Sequence, residues 1–417
     1  MDYKNIEMAR HLRERHRYDE AEAALLSYLA SNPEDAVAHC ELAITRMSME
    51  GRERDALHAI EDAIGLNPDN GWMVAVKAFI LVDNEKYDKA LKVSNEAIAM
   101  DPDCVLAWMA QARAYGGKEQ WKSAEQSVRQ ALNLDPDDQQ ANNLLSLYLR
   151  LQGRTDEADY YTETMLGRDA EDHVALTNAG WTRLHEGKNK EAEQLFLDAL
   201  RIEPNSEYAR NGIREAYKAR SFFYSLFLKW AFFMQRFAGG TQAMIVIGLF
   251  LGYQFLYKWL KMVHPVLGLS VLIIYMVFIF WVWMASGLGH FILLTDHKAR
   301  HSLNRPEKWD GIMVGGFFVT GLLTLAIGAM TNTAWMIIIG AGFISTAVPN
   351  SLICLNDSRV GQVVFGILAA LCMILSVFGA VVQVNQPDQS FNIGYIVPSL
   401  LIAMLTTWLG NLPSLRD

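Results

Sequence analysis

Three histidines in the second half of the chain are the residues whose type and spacing best suit metal chemistry. His290, His297 and His301 lie within twelve residues, and Asp296 lies between them. A spacing of four places His297 and His301 on one helix face, where two imidazoles can ligate one ion. One such pair with one further histidine is too few ligands for a metal enzyme. We therefore predict no catalytic residue, no metal ligand and no cofactor, and a histidine-based membrane enzyme is the least favoured function.

The other polar and reactive groups also favour structural roles. Thr346, Asn350 and Ser351 surround Pro349 in an apolar stretch, where a proline frees a backbone carbonyl that could line a cavity. Hydrogen bonding between neighbouring helices is the favoured interpretation of this patch. The cysteines are Cys40, Cys104, Cys354 and Cys372. They form no CxxC pair, which indicates buried free thiols in a reducing compartment.

Charge divides the chain near residue 220. Residues 1–220 hold 27 Lys and Arg against 40 Asp and Glu, a net charge of −13, whereas residues 221–417 hold 10 against 6. The mean hydropathy of the whole chain is +0.08, and this positive value is due to the apolar second half. This asymmetry excludes a single globular domain. It also excludes a general nucleic-acid binder, which needs a clustered basic face.

The first half repeats with a period of about 34 residues. Its prolines are Pro33, Pro68, Pro102, Pro136 and Pro204, at intervals of 35, 34, 34 and 68 residues. Ala170 takes the missing position, and an alanine lies twelve residues before each position: Ala21, Ala56, Ala90, Ala124, Ala158 and Ala192. Small residues allow two helices to pack closely, and a proline ends the second helix. Each unit is therefore predicted to be a helical hairpin that stacks on its neighbours.

These features resemble the tetratricopeptide repeat. The fourth unit matches the family best, with Trp108, Ala112, Tyr115, Ala124, Ala131 and Pro136 at family positions. The resemblance implies an all-α solenoid of six units over residues 1–206, followed by a capping helix at 207–220. The first unit is degenerate, and the second has one extra residue before Gly51. Members of this family mostly supply protein-binding surfaces, so a scaffold is expected rather than an enzyme.

The resemblance also implies a concave groove lined by the first helix of each unit. The predicted partner-binding residues are Arg10, Arg13, Met47, Trp72, Phe79, Met109, Arg113, Asn143, Arg150 and Trp181. An apolar groove of this kind is usually covered by a partner helix. The cover could also be the chain's own second half or another subunit. For Trp72 and Phe79, packing between repeats is an equally good interpretation. The net charge of −13 is better explained by a solvated outer face than by a basic partner.

The second half is predicted to be a membrane domain of six spans within residues 241–410. Its long runs lack Asp, Glu, Lys and Arg, and a span needs about 20 apolar residues. The predicted spans are 241–260, 265–294, 311–330, 333–354, 361–384 and 391–410. Apart from Lys258 near the end of the first span, these spans hold no charged residue, which argues against a proton-coupled or ion-coupled carrier.

Topology is predicted from the Lys and Arg of the connecting segments. With the N-terminus inside, ten of these cations lie on the inner side and two, Lys258 and Lys261, on the outer side. The polar N-terminus also lacks the apolar region of a signal peptide. We therefore expect an integral membrane protein with both termini in the cytoplasm. A bacterial inner membrane is the favoured location because the loops are short and no targeting peptide is seen.

Residues 221–237 are predicted to form an interfacial amphipathic helix. Lys229 and Arg236 make the segment a poor span, and Lys229, Trp230 and Arg236 are the residues assigned to the membrane interface. A seventh span, which would place the C-terminus outside, is the alternative.

Three functions follow from these features. The leading hypothesis is a membrane-anchored scaffold that recruits a protein partner at the cytosolic face. The alternative is an oligomeric pore or membrane-perturbing assembly gated by the repeats. The enzyme with a histidine site comes last. The expected partners are a protein or the chain's own subunits in a homo-oligomer, and the lipid bilayer, with no nucleic acid.

Overall fold

The computed structural model describes residues 4–296, 300, 303–385, 392–410 and 412–415. The described residues form helices, turns and loops without a strand. They fall into two compact units. The first unit comprises the chain up to Glu186 together with Asp198–Pro204 and Phe232–Ala243. The second comprises Gly187–Leu197, Asn205–Ala231 and the chain from Met244 onward. The all-α fold class predicted from the sequence is confirmed.

Twelve helices in chain order make up the repeat region. They are α1 Lys4–Glu14, α2 Tyr18–Ser31, α3 Ala36–Met47, α4 Glu53–Leu66, α5 Gly71–Asp83, α6 Tyr87–Met100, α7 Val105–Gly117, α8 Trp121–Leu134, α9 Gln139–Leu151, α10 Thr155–Arg168, α11 His173–His185 and α12 Asn189–Ile202. We call the first helix of each pair the A helix and the second the B helix. In the first unit, α1 packs on α3, α3 on α5, α5 on α7 and α9 on α11.

The helix boundaries have local causes. In four of the turns between repeats, an Asp or Asn side chain caps the next A helix: Asp35, Asn70, Asp138 and Asp172 accept from backbone N–H groups two or three residues later. Within repeats, the turn between the A and B helices contains a residue with positive φ. Gly51 and Gly153 take this position with φ of 75° and 79°, where a side chain would be strained.

The alanines of the repeat form the core of the first unit. Ala21, Ala56, Ala90, Ala124 and Ala158 are all fully buried. Because each lies on a B helix facing its own A helix, a larger side chain would push the pair apart. Branched and aromatic residues such as Leu25, Ile60 and Leu145 fill the remaining space between hairpins. This packing explains why the sequence period is visible at the small positions.

The second unit contains the rest of the chain's helices. They are α13 Glu207–Lys218, α14 Phe222–Gln235, α15 Gly239–Val263, α16 Pro265–Thr295, α17 Arg305–Met330, α18 Ala334–Asn350, α19 Arg359–Val384 and α20 Val397–Leu409, with short 3₁₀ turns at Ile393–Tyr395 and Pro413–Leu415. The end of α14 and the start of α15 belong to the first unit. The grouping of α13 with the second unit leaves its capping role a prediction.

Four described helices are long and apolar enough to cross a membrane. They are Gly240–Val263, Pro265–Thr295, Arg305–Met330 and Arg359–Val384. Two further apolar helices, Ala334–Asn350 and Val397–Leu409, are shorter than a span requires on its own. The division of residues 241–410 into six spans therefore stays a prediction. The third long helix begins at Arg305, six residues before the predicted start, and so includes Glu307 and Asp310.

Candidate protein-binding surfaces of the repeats

The groove arginines of the first repeat are paired with the second repeat. Arg10 Nη2 and Arg13 Nη1 lie 2.6 and 2.7 Å from the two carboxylate oxygens of Glu41. Glu41 is 4% exposed, and a buried carboxylate is destabilising without hydrogen-bonded cationic partners of this kind. The structure therefore brings Arg10 and Arg13 together, and their first role is to join α1 to α3.

The arginine of the fourth repeat lies over the aromatic ring of the third. The guanidinium of Arg113 is 5.1 Å from the centre of the Phe79 ring, and its Nη2 is 3.0 Å from Asp83 Oδ1. This combination of a cation–π contact and an ion pair holds the guanidinium flat against α5. Phe79 is only 8% exposed and Met109 only 4%. Both are core residues, which favours packing between repeats over contact with a partner for Phe79.

The groove residues of the fifth and sixth repeats also contact one another. The Arg150 guanidinium lies 5.6 Å from the centre of the Trp181 ring, and its Nη1 donates to His185 Nε2 at 3.0 Å. Asn143 Nδ2 donates to Asp172 Oδ2 at 3.0 Å. Met47 is half-buried and packs against the apolar cores formed within residues 6–80 and within residues 78–158. Among the predicted apolar groove residues, Trp72 is the large side chain with the greatest exposure, at 43%.

Sequence reasoning missed a second surface, at the turns between A and B helices of the fourth to sixth repeats. The Phe232 ring stacks on the His185 ring with centroids 3.6 Å apart, and Trp121 Nε1 donates to the backbone oxygen of Gln235 at 2.8 Å. The Arg236 guanidinium lies against Gly153, where any side chain would collide with it. A five-residue stretch of the chain is thus seated on the repeats. We call residues 232–236 the docked segment.

The docked segment changes the chemistry of His185. Burial, together with the nearby positive charges of Arg150 and Arg236, lowers the pKa of this imidazole to about 2. Its Nε2 accepts the Arg150 hydrogen bond, which a proton on that nitrogen would abolish. The ring is therefore neutral while the segment is docked. The sequence signal for this site is the Phe- and Arg-containing stretch that is predicted to lie at the membrane interface.

The three residues assigned to the membrane interface lie in different surroundings. Lys229 is exposed, and the Trp230 ring makes an edge contact with Phe278 at a centroid distance of 5.4 Å in the second unit. Arg236 lies on the repeats, as described above. Their role at a lipid surface stays a prediction.

In the second unit, His290 has a carboxylate partner. Its Nδ1 lies 2.7 Å from Asp310 Oδ2, and both side chains are buried. His297 and His301 lie outside the described residues. Within the described residues, no group of three or more metal-ligating side chains is found. In the predicted polar patch, Thr346 Oγ1 donates to its own helix at Gly342, and Asn350 is 2% exposed.

The family model of the tetratricopeptide repeat matches residues 48–114 and 81–148 of this chain. The N-terminal part of the chain is built of tetratricopeptide repeats. The resemblance inferred from the 34-residue period is thereby confirmed. Tetratricopeptide repeats, abbreviated TPRs below, form a protein-interaction fold that is typically non-catalytic.

Two curated proteins of Schizosaccharomyces pombe match parts of the chain. The DnaJ homolog subfamily C member 7 homolog is 27% identical over 128 residues, covering 30% of this chain and 27% of that protein. Anaphase-promoting complex subunit 3 is 24% identical over 139 residues, covering 33% of this chain and 21% of that protein. The chain thus spans about a quarter of the length of these relatives.

Among solved structures, the type IV pilus biogenesis factor PilW is 19% identical with a TM-score of 0.42, covering 50% of this chain and 96% of that one. YrrB, described as a TPR protein with an unusual peptide-binding site, is 21% identical with a TM-score of 0.33, covering 45% and 96%. At these identities the likeness concerns the fold alone.

Proposed function

We propose that this protein is a membrane-anchored TPR scaffold that recruits a protein partner at the cytosolic face of the membrane. The observation that carries the proposal is the combination, in one chain, of TPRs at residues 48–148 with four membrane-length apolar helices. The first part is a fold that binds proteins, and the second is apolar enough to hold that fold at a bilayer. Recruitment at a surface needs both properties.

The orientation part of the proposal rests on charge. The connecting segments carry ten Lys and Arg on the side of the repeats and two on the other, which favours cytoplasmic repeats and a cytoplasmic C-terminus. We assign the protein to the bacterial inner membrane on the shortness of its loops. An impermeant maleimide should label a cysteine placed at Arg359 only after the inner face is opened, and one placed at Lys261 in intact cells. The reverse labelling would contradict the orientation.

The groove is proposed to bind its partner through exposed apolar surface rather than through its arginines. Arg10, Arg13 and Arg113 already have carboxylates within 3.0 Å, so a partner carboxylate would have to displace them. Trp72 keeps 43% of its surface exposed and is a suitable aromatic anchor. The partner expected in the groove is therefore an apolar helix face rather than an acidic tail.

The test is a quantitative affinity purification from native membranes in mild detergent. Trp72→Ala with Trp181→Ala should lose a partner that wild type retains, while Tyr160→Ala, a 67% exposed aromatic on the outer helix α10, should keep it. Phe79 is left unchanged because it is buried and its removal would damage the fold. A partner that stays bound to the double variant, or a protein recovered without detergent, would overturn the proposal.

A further inference from the structure

The turns at the two edges of the repeats carry opposite charge. The turns between repeats, at 32–35, 67–70, 101–104, 135–138 and 169–172, hold eleven carboxylates and no Lys or Arg. The turns within repeats, at 15–17, 48–52, 84–86, 118–120 and 152–154, hold three carboxylates and six Lys or Arg. The negative charge of the first half is thus concentrated on one edge instead of being spread over an outer face.

Exposed apolar side chains lie at the same edge, one beside each acidic turn. They are Val37, Leu66, Met100, Leu134 and Val174, each 37–43% exposed. Leu66, Met100 and Leu134 are the last residues of B helices, and Val37 and Val174 are the second residues of A helices. Because A and B helices are antiparallel, both positions lie at the turns between repeats. We call this row of apolar residues and acidic turns the acidic edge.

Two pairs of successive turns in the acidic edge are in contact. A Cβ placed on Gly71, at the start of α5, would lie 3.0 Å from Asp101 Cβ and 3.3 Å from Met100 Cβ, at the end of α6. Gln139 Nε2 in the fourth turn region donates to Asp172 in the fifth at 2.7 Å. The second turn is therefore in contact with the third, and the fourth with the fifth.

Helix capping explains the positions of some of these carboxylates, but it does not require that the capping residue be charged. Asp35, Asp138 and Asp172 cap A helices, yet the neutral Asn70 does the same in the second turn by accepting from Met73 N at 3.2 Å. Glu34, Asp69, Asp103, Asp137 and Glu171 are exposed positions of the same turns. Of these five, Asp137 forms an ion pair with Arg168 Nη1 at 2.7 Å. The edge still keeps an excess of like charge, which a cationic partner would compensate.

We propose that the acidic edge binds a basic amphipathic helix of a partner protein. Apolar residues of that helix would cover the exposed row, and flanking Lys and Arg would face the turns. Where neighbouring A helices pack in direct contact, as α5 and α7 do, successive turns are about 10 Å apart. A helix rises about 1.5 Å per residue, so apolar residues every seven positions would meet successive turns. This surface is separate from the groove, and the inference goes beyond the proposed function.

The probe is a fluorescent 21-residue helical peptide with leucine at every seventh position and lysines beside each leucine. Its affinity for the full chain in zwitterionic nanodiscs is measured by anisotropy. Two comparison peptides carry glutamate in place of lysine, or the same residues scrambled. We expect only the ordered basic peptide to bind, with an affinity that falls about tenfold when salt rises from 0.05 to 0.5 M.

Two variants and one control separate the contributions. The charge variant combines Glu34→Gln, Asp69→Asn, Asp103→Asn, Asp137→Asn and Glu171→Gln, which leaves every capping residue in place. The apolar variant combines Leu66→Gln, Met100→Gln and Leu134→Gln. The control combines Met8→Gln and Leu26→Gln, which are 54% and 46% exposed and lie within α1 and α2 away from these turns. We expect about tenfold weaker binding for each edge variant and less than twofold for the control.

Several results would overturn the inference. Equal binding of the scrambled peptide, unchanged affinity in the charge variant, or binding to protein-free nanodiscs would each do so. A change in the protein's own oligomeric state on neutralising the edge would assign the surface to a second copy instead. If the apolar variant does not fold, the charge variant decides alone. None of these results affects the groove, which is tested with Trp72 and Trp181.

Discussion

Acid should release the docked segment from the repeats through His185. In the docked state the pKa of His185 is about 2, below the ordinary 6.5, because the ring is buried and faces Arg150 and Arg236. A released segment uncovers the ring and removes Arg236, so the pKa returns toward 6.5. The released state then binds the extra proton, and the docked state is fully favoured only above pH 6.5.

The magnitude follows from the two pKa values. Docking loses about 1.4 kcal/mol at pH 5.5 and about 2.7 kcal/mol at pH 4.5 relative to neutral pH, which raises the release constant about tenfold and then about a hundredfold. Arg150 stays beside the ring after release, so these are upper values. The stabilisation is lost as pH falls through the window from 6.5 toward 2.

Trp121 provides the readout, because its indole N–H donates to Gln235 O only in the docked state. The protein is labelled with 5-fluorotryptophan in nanodiscs, and the Trp121 resonance is assigned with Trp121→Phe. The population of docked and released signals is followed by fluorine NMR from pH 7.5 to 4.5. His185→Gln is the control, since glutamine can accept from Arg150 but does not titrate. The reasoning is refuted if wild type and His185→Gln show the same pH dependence.

Three further predictions concern stability. Gly153→Ala and Gly51→Ala should each lower the free energy of unfolding by about 1–2 kcal/mol, because both glycines have positive φ. Only Gly153→Ala should also shift the Trp121 resonance, because Gly153 lies against Arg236 whereas Gly51 has no neighbour within 4 Å. Equal shifts in both variants would contradict the contact between Arg236 and Gly153. Glu41→Ala should lower the free energy of unfolding by about 1–3 kcal/mol, measured by calorimetry. Glu61→Ala, which removes an exposed carboxylate paired with Lys77, should change it by less than about 1 kcal/mol. Asp310→Ala should lower the midpoint of thermal unfolding in detergent by several degrees. Asp310→Asn should lower it by less, because asparagine can still accept a hydrogen bond from His290. Equal decreases in the two variants would argue against the hydrogen bond between His290 and Asp310.

Much of the fold was predictable because its determinants are local and repeat. If each hairpin packs on the next in the same way, a small residue is needed at the same place in every repeat. Ala56 and Ala90, 34 residues apart, are two examples. The turns are likewise specified by nearby residues, such as Asp35 capping α3 and Gly51 turning between α3 and α4. The candidate site was predictable only as a set of groove positions.

The pairing of those positions required the tertiary structure. Arg10 and Arg13 meet Glu41 across 31 and 28 residues, and no periodicity marks an acidic partner there. Phe79 and Met109 occupy groove positions, yet packing against neighbouring helices buries them. Exposure depends on how neighbouring helices are inclined, and a register along the sequence carries no information about that inclination.

By itself, the sequence determined the repeat, the helices and the apolar character of the second half, since spacing and composition act over a few turns of chain. The tertiary structure decided the docked segment, which joins Gln235 to Trp121 across 114 residues. It also decided the acidic edge, because separate turns come into contact only after the hairpins stack. Contacts between distant residues depend on the whole packing, and no local pattern encodes them.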